Sequence, residues 1–270
     1  MLAVIYHTLR EAAGRRMGIA LLVVAALTSI VYVTNIRFAQ AATGEIMVQQ
    51  GPNSAPVEMF VRFNYPSQIN FSGLWWLILG VVASAPLLTS FLESGWHELQ
   101  LTKGVARWQM LLGRYVGALL LFTASLIFFH VVPALHVWLG TGYPPWGFLL
   151  AVLLVLLSFA SLLALMTVIA ASQPNPHPGY PMIAGLSQIV LSRLLADPTD
   201  LYNTFTNFRE VAPLFTAIHG VLPRNTELLW AGIDLVHSGR VESWAPVWAT
   251  LAFTVVALAL ACAILHRRSL

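Results

Sequence analysis

The sequence predicts an all-α integral membrane protein, one domain over 1–270, of about six membrane-spanning helices. Three observations carry this reading. The 270 residues are 58% hydrophobic and only 9% charged, with a mean hydropathy of +0.75. Soluble domains hold roughly 25% charged residues, so this chain cannot cover a globular surface with polar groups. Five stretches, 17–36, 73–92, 110–132, 147–171 and 244–265, are apolar and reach the roughly 20 residues that a bilayer crossing needs. A weaker sixth, 180–196, contains Gln188 and Arg193; six crossings return the C-terminus to the side of the N-terminus.

In residues 1–16, Leu2, Ile5, Leu9 and Ala12 recur at helical spacing, with His7, Arg10 and Glu11 on the other side. That is the pattern of an amphipathic helix lying in the inner interface. The run 17–36 is followed by Ala39-Gln40-Ala41, which resembles a cleavage site. The run is too long for the core of a signal peptide and Arg37 interrupts it, so it reads as a retained span.

Residues 37–72 form an outer loop. Val57, Met59, Val61, Phe63 and Tyr65 alternate with more polar neighbours, which is strand periodicity. Gly51-Pro52-Asn53-Ser54 is a turn leading into that strand, and 45–49 is its partner in a small hairpin.

Between the second and third spans lies 93–109, a short, charged, amphipathic connection. Arg107 and Arg114, seven residues apart, fall on nearly one helix face. The two cations are therefore expected together at the membrane surface, as a helix docking onto a partner protein would need. The plainer alternatives are a solvated loop whose charges mark the inner surface and cations reaching out to lipid headgroups.

Pro174, Pro176, Pro178 and Pro181 predict a stiff, non-helical inner turn at 174–178, since proline cannot supply a helical hydrogen bond. The segment 197–243 is too polar to span and is an outer or re-entrant segment. Its apolar piece, 211–222, has the length of a re-entrant or interfacial stretch, after which Asn225 caps a helix that Gly239 ends. Trp75, Trp76, Trp138, Trp146 and Trp244 lie near span ends and read as interface anchors.

Charge sets the orientation. With the N-terminus inside, the short inner segments hold Arg10, Arg15, Arg16, Lys103, Arg107, Arg114, Arg267 and Arg268, and eight of the eleven acids fall outside. Both termini are thus expected in the cytoplasm. The net charge of +3 is modest and sits beside apolar segments, so nucleic-acid binding is not expected. Cys262 is the single cysteine and allows no internal disulfide. His130 and His136 flank Pro133 about 120° apart on a straight helix. No Cys, Met or acid joins them at ligand spacing, so interfacial packing is their expected role. His97-Glu98 lacks the second His of a zinc-protease motif.

The segment 93–114 resembles the coupling segment of the export-type (second) membrane-domain family of ABC transporter permeases. Glu93, Gly95, Leu99, Leu101, Arg107 and Gly113 match that family's pattern, with Trp96 in place of its Thr, Gly104 of its Pro and Arg114 of its Lys. Asp197-Pro198-Thr199-Asp200-Leu201-Tyr202 is similar to a segment in the permeases that serve maturation of copper-containing nitrous oxide reductase. The ending Leu265-His266-Arg267-Arg268-Ser269-Leu270 resembles the family's basic tail.

The resemblance implies a non-catalytic permease subunit in a bacterial inner membrane, paired with a second permease copy and two cytoplasmic ATPase subunits. ATP and Mg would be bound by that partner, since the chain has no phosphate-cradling loop of the Gly-x-x-x-x-Gly-Lys type; no cofactor is expected on this chain. The coupling segment would sit in a groove of the ATPase, with Glu93, Trp96, His97, Glu98, Gln100, Lys103 and Arg107 as contacts. Two other readings stand beside this one. A membrane-embedded lipid-modifying enzyme or protease would need ionisable groups converging within the bilayer. An anchoring or assembly protein would bind an extracytoplasmic partner through its outer segments.

Overall fold

The computed structural model describes residues 1–42, 44–92, 105–196 and 212–267, and these are mostly helical. Among them, five helices are long and apolar enough to cross a membrane: Met17–Asn35, Val57–Thr89, Arg107–Thr141, Trp146–Ser172 and Ala245–Arg267. This is a multi-pass membrane fold. Two of the helices run well past the expected spans. At 33 and 35 residues they are about 50 Å long, against a hydrocarbon core of about 30 Å.

In chain order, α1 is Leu2–Gly14 and α2 is Met17–Asn35. Arg16 turns the chain between them with φ 56°, a left-handed conformation uncommon outside glycine. Strands β1 (Ile36–Gln40), β2 (Ile46–Gln50) and β3 (Asn53–Pro56) follow. Then come α3 (Val57–Ser67), a π turn at Gln68–Ser72 and α4 (Gly73–Thr89). The third long helix is α5 (Arg107–Leu126), a π turn at Ile127–Val131 and α6 (Val132–Thr141). After it stand α7 (Trp146–Ser172), α8 (Gly179–Ala196), α9 (Ala212–Val221), α10 (Asn225–Ser238) and α11 (Ala245–Arg267). The weaker sixth stretch does form a helix, α8, but it is less apolar than the five.

The strands correct the expected hairpin. The sheet has three antiparallel strands in the order β1-β2-β3, with Ile36 opposite Gln50 and Val48 opposite Ala55. The alternating stretch 57–65 is helical instead. Its buried residues are Phe60, Val61 and Tyr65, while Met59 and Phe63 stand exposed. The alternation left out Phe60, the residue that completes a helical face.

α7 is the central post, packed by α4, α5, α8, α10 and α11. Phe122 of α5 and Phe159 of α7 stack with ring centroids 3.7 Å apart. Trp76, expected at the interface, is instead 3% exposed and packs on Phe129 at 4.8 Å. Trp75, Trp146 and Trp244 are exposed as interface anchors are. The proline-rich segment between α7 and α8 is non-helical.

Candidate functional site

Two arrangements of polar side chains stand out against the apolar bundle. The first lies where α1, the end of α4 and the start of α5 converge. α1 rests on α5 because two glycines leave room for it. A Cβ on Gly113 would meet Val4 Cβ at 2.7 Å, and one on Gly117 would meet Thr8 Cβ at 2.7 Å. Small residues four apart let helix backbones approach closely. The buried face of α1 is therefore Val4, Thr8 and Ala12, while Leu2, expected on the apolar side, is 83% exposed.

This approach brings Glu11 to Arg114. The Arg114 guanidinium is ion-paired to the Glu11 carboxylate and is 2% exposed, and its Nη1 also donates to Ser90 Oγ at 3.4 Å. Arg15 Nε adds a second bond to Glu11 at 2.8 Å. Burial alone would raise the Glu11 pKa. The Ser90 hydroxyl, the Arg114 guanidinium and the charge of Arg15 outweigh it and hold the carboxyl below its ordinary value. Arg114 was expected at the surface beside Arg107. It is instead buried on an acid from α1, and the two cations do not form one docking face. Arg107 opens α5 and is half-buried. Glu93, Trp96, His97, Glu98, Gln100 and Lys103 lie outside the described residues.

The second arrangement is a polar seam where the turn between α9 and α10 enters the bundle. Asn225 Oδ1 accepts a bond from Ser161 Oγ at 2.8 Å. Ser161 is fifteen residues into α7, so this turn lies about 22 Å below the start of that helix. Gln188 Nε2 donates to the Pro223 carbonyl at 3.1 Å, Ser192 and Thr226 share a bond of 3.2 Å, and Arg224 N donates to Thr250 Oγ1 at 3.3 Å. Non-helical backbone at such depth is tolerated only where protein groups satisfy it; α8 and α11 each supply one such group, while α7 holds the Asn225 side chain. Beside the turn, Glu227 meets His219 at 2.7 Å and Arg224 at 3.5 Å. Asn225, expected as the cap of α10, is its first residue, and Arg224 holds the capping position; Gly239 does end the helix with φ 68°.

Sequence reasoning missed this seam because Gln188, Ser192, Asn225 and Thr226 are scattered over two segments. The one available signal was polar residues, Gln188 above all, inside an otherwise apolar stretch. His130 is fully buried, with ring centroids 4.6 Å from Phe129 and 5.9 Å from Phe148, and His136 packs on Phe38 at 5.1 Å. Neither His130 nitrogen makes a well-formed hydrogen bond among the described residues. Among the described residues, no three His, Cys, Asp or Glu side chains group as metal ligands.

No known family model matches the chain, and no curated protein matches it significantly.

Proposed function

We propose that the chain is the permease subunit of an ATP-binding cassette transporter of the export type. In this reading α8 is the sixth span, both termini are cytoplasmic, and α1 lies in the inner interface of a bacterial inner membrane. The α9–α10 turn is re-entrant. Two copies pair with two cytoplasmic ATPase subunits, which bind ATP and Mg, and the 93–109 segment takes up their closure.

The observation that supports the reading is the Glu11–Arg114–Ser90 cluster. Ser90 closes the second long helix and Arg114 lies two turns into the third, so the cluster ties together the two helices that flank the connection. A push on that connection would move α1, α4 and α5 as one body. The scarcity of charge in the spans suits a hydrophobic or amphipathic cargo, and a mechanical role fits as well.

The test is a pull-down of the tagged chain in mild detergent, with ATPase activity assayed on the eluate. A stoichiometric nucleotide-binding subunit, lost when 93–107 is scrambled and weakened by Arg107→Glu, is the expected result. A chain that brings down no ATPase in any mild detergent sinks the proposal and returns the anchoring and enzyme readings.

A further inference from the structure

Two cavities adjoin at the first turn of α7. One is an apolar groove of about 410 Å³ between α7 and the third long helix, walled by Leu126, Ile127 and Val131 on one side and Leu149, Leu153 and Leu156 on the other. The second is a polar recess of about 270 Å³, bordered by Arg62, Tyr143, His237 and Ser238. Trp146 lines both. A tail-shaped apolar space and a head-shaped polar space thus share one wall.

The dimensions and charges narrow the occupant. On α7 the groove runs from Trp146 to Leu156, ten residues or about 15 Å, which is one leaflet of a hydrocarbon core about 30 Å thick. Leu150 and Leu153 are 50% and 57% exposed, so the groove opens sideways toward the bilayer. Trp146, 58% exposed, stands at the mouth, where amphipathic rings sit at headgroup level. Arg62 makes no ion pair among the described residues. Among the described residues no carboxylate lines the recess: neither Glu58, one turn before Arg62, nor Asp234 is among its walls. A guanidinium without an acid is suited to a phosphate.

We infer that this composite site holds one phosphate-bearing glycerophospholipid of the adjacent leaflet. The phosphate meets Arg62 in the recess, one acyl chain fills the groove, and Trp146 stands between them. The inference rests on the helices crossing a membrane and not on the ATPase partnership, so either can fail without the other.

The test uses the full chain, delipidated in mild detergent, titrated with phosphatidylglycerol and followed by native mass spectrometry. One lipid is expected to stay with each chain. Arg62→Gln is expected to weaken retention about tenfold, the loss of one charge-assisted hydrogen bond, and Leu153→Trp to weaken it by filling the groove. Diacylglycerol, which lacks the phosphate, and glycerol 3-phosphate, which lacks the chains, are each expected to bind less tightly than the intact lipid. Both substituted positions are exposed, so thermal unfolding should be unchanged; Arg62→Gln alone decides if Leu153→Trp fails to fold. Equal retention by wild type and Arg62→Gln overturns the inference. So does glycerol 3-phosphate binding as tightly as the lipid, or a dimer of the chain that excludes lipid and dissociates in Leu153→Trp.

Discussion

Arg114 and Glu11 form a buried ion pair across 103 residues of chain, fastening the N-terminal helix to the start of the third long helix. Breaking a buried pair from one side costs more than replacing it, because an uncompensated charge stays behind. Glu11 keeps some exposure, so Glu11→Gln is expected to cost about 2–3 kcal/mol, at or below the low end for such pairs. The check is the unfolding midpoint in detergent. The double variant Glu11→Leu/Arg114→Met should recover most of the loss. A Glu11→Gln protein as stable as wild type would mean that the pair holds nothing.

The same carboxylate gives a pH dependence of known sign. Its folded pKa lies below its ordinary value of 4.5, so the unfolded state binds protons first as pH falls. The stabilisation is complete well above 4.5 and is lost as pH falls through the lower folded pKa. The stability gap between wild type and Glu11→Gln should therefore be flat near neutrality and close in acid. A gap that widened in acid would reverse the sign argued here.

Gly117→Leu should lift α1 from α5. Even a single carbon there meets Thr8 Cβ at 2.7 Å, and overpacking of this kind costs about 1–3 kcal/mol. Limited proteolysis should then cleave within residues 1–16 of the variant and spare the wild type. Equal protection of the two would show that α1 is held elsewhere.

Gln188→Leu should destabilise the polar seam. It leaves the Pro223 carbonyl without its donor in a place that water does not reach, at about 1–3 kcal/mol. Ser192→Ala removes a weaker hydroxyl pair and should cost less. Thermal unfolding of both variants orders them; the opposite order would place the strain at Thr226.

The helices that cross were legible because burial in lipid imposes a long apolar run, which no other environment demands. The extensions Val57–Ser67 and Val132–Thr141 were not. The stretch from Val57 to Tyr65 alternates by coincidence, and the fit of Phe60, Val61 and Tyr65 to one helical face depends on what α10 and the sheet put against it. Arg114 shows the same limit at the site. Its sequence neighbourhood is that of a surface cation, and only the distant Glu11 makes its burial tolerable. The residues proposed as ATPase contacts between Glu93 and Lys103 lie outside the described residues, so that proposal rests on the sequence.

The π turns at Gln68–Ser72 and Ile127–Val131 have a consequence for how the chain can change over time. Each holds one residue more than an α-turn needs, and one residue is worth about 100° of rotation. Losing a single residue from Ile127–Val131 would straighten the ladder and leave α6 facing much as it does, with His136 still beside Phe38, because the π turn already takes up the extra residue. Single-residue insertions and deletions are therefore absorbed at two interior points of helices that would otherwise look uniform. The 120° separation drawn for His130 and His136 on a straight helix does not carry across such a turn. A residue gained or lost in the regular α-helical stretches has no such slack and would turn everything beyond it off its packing by about 100°.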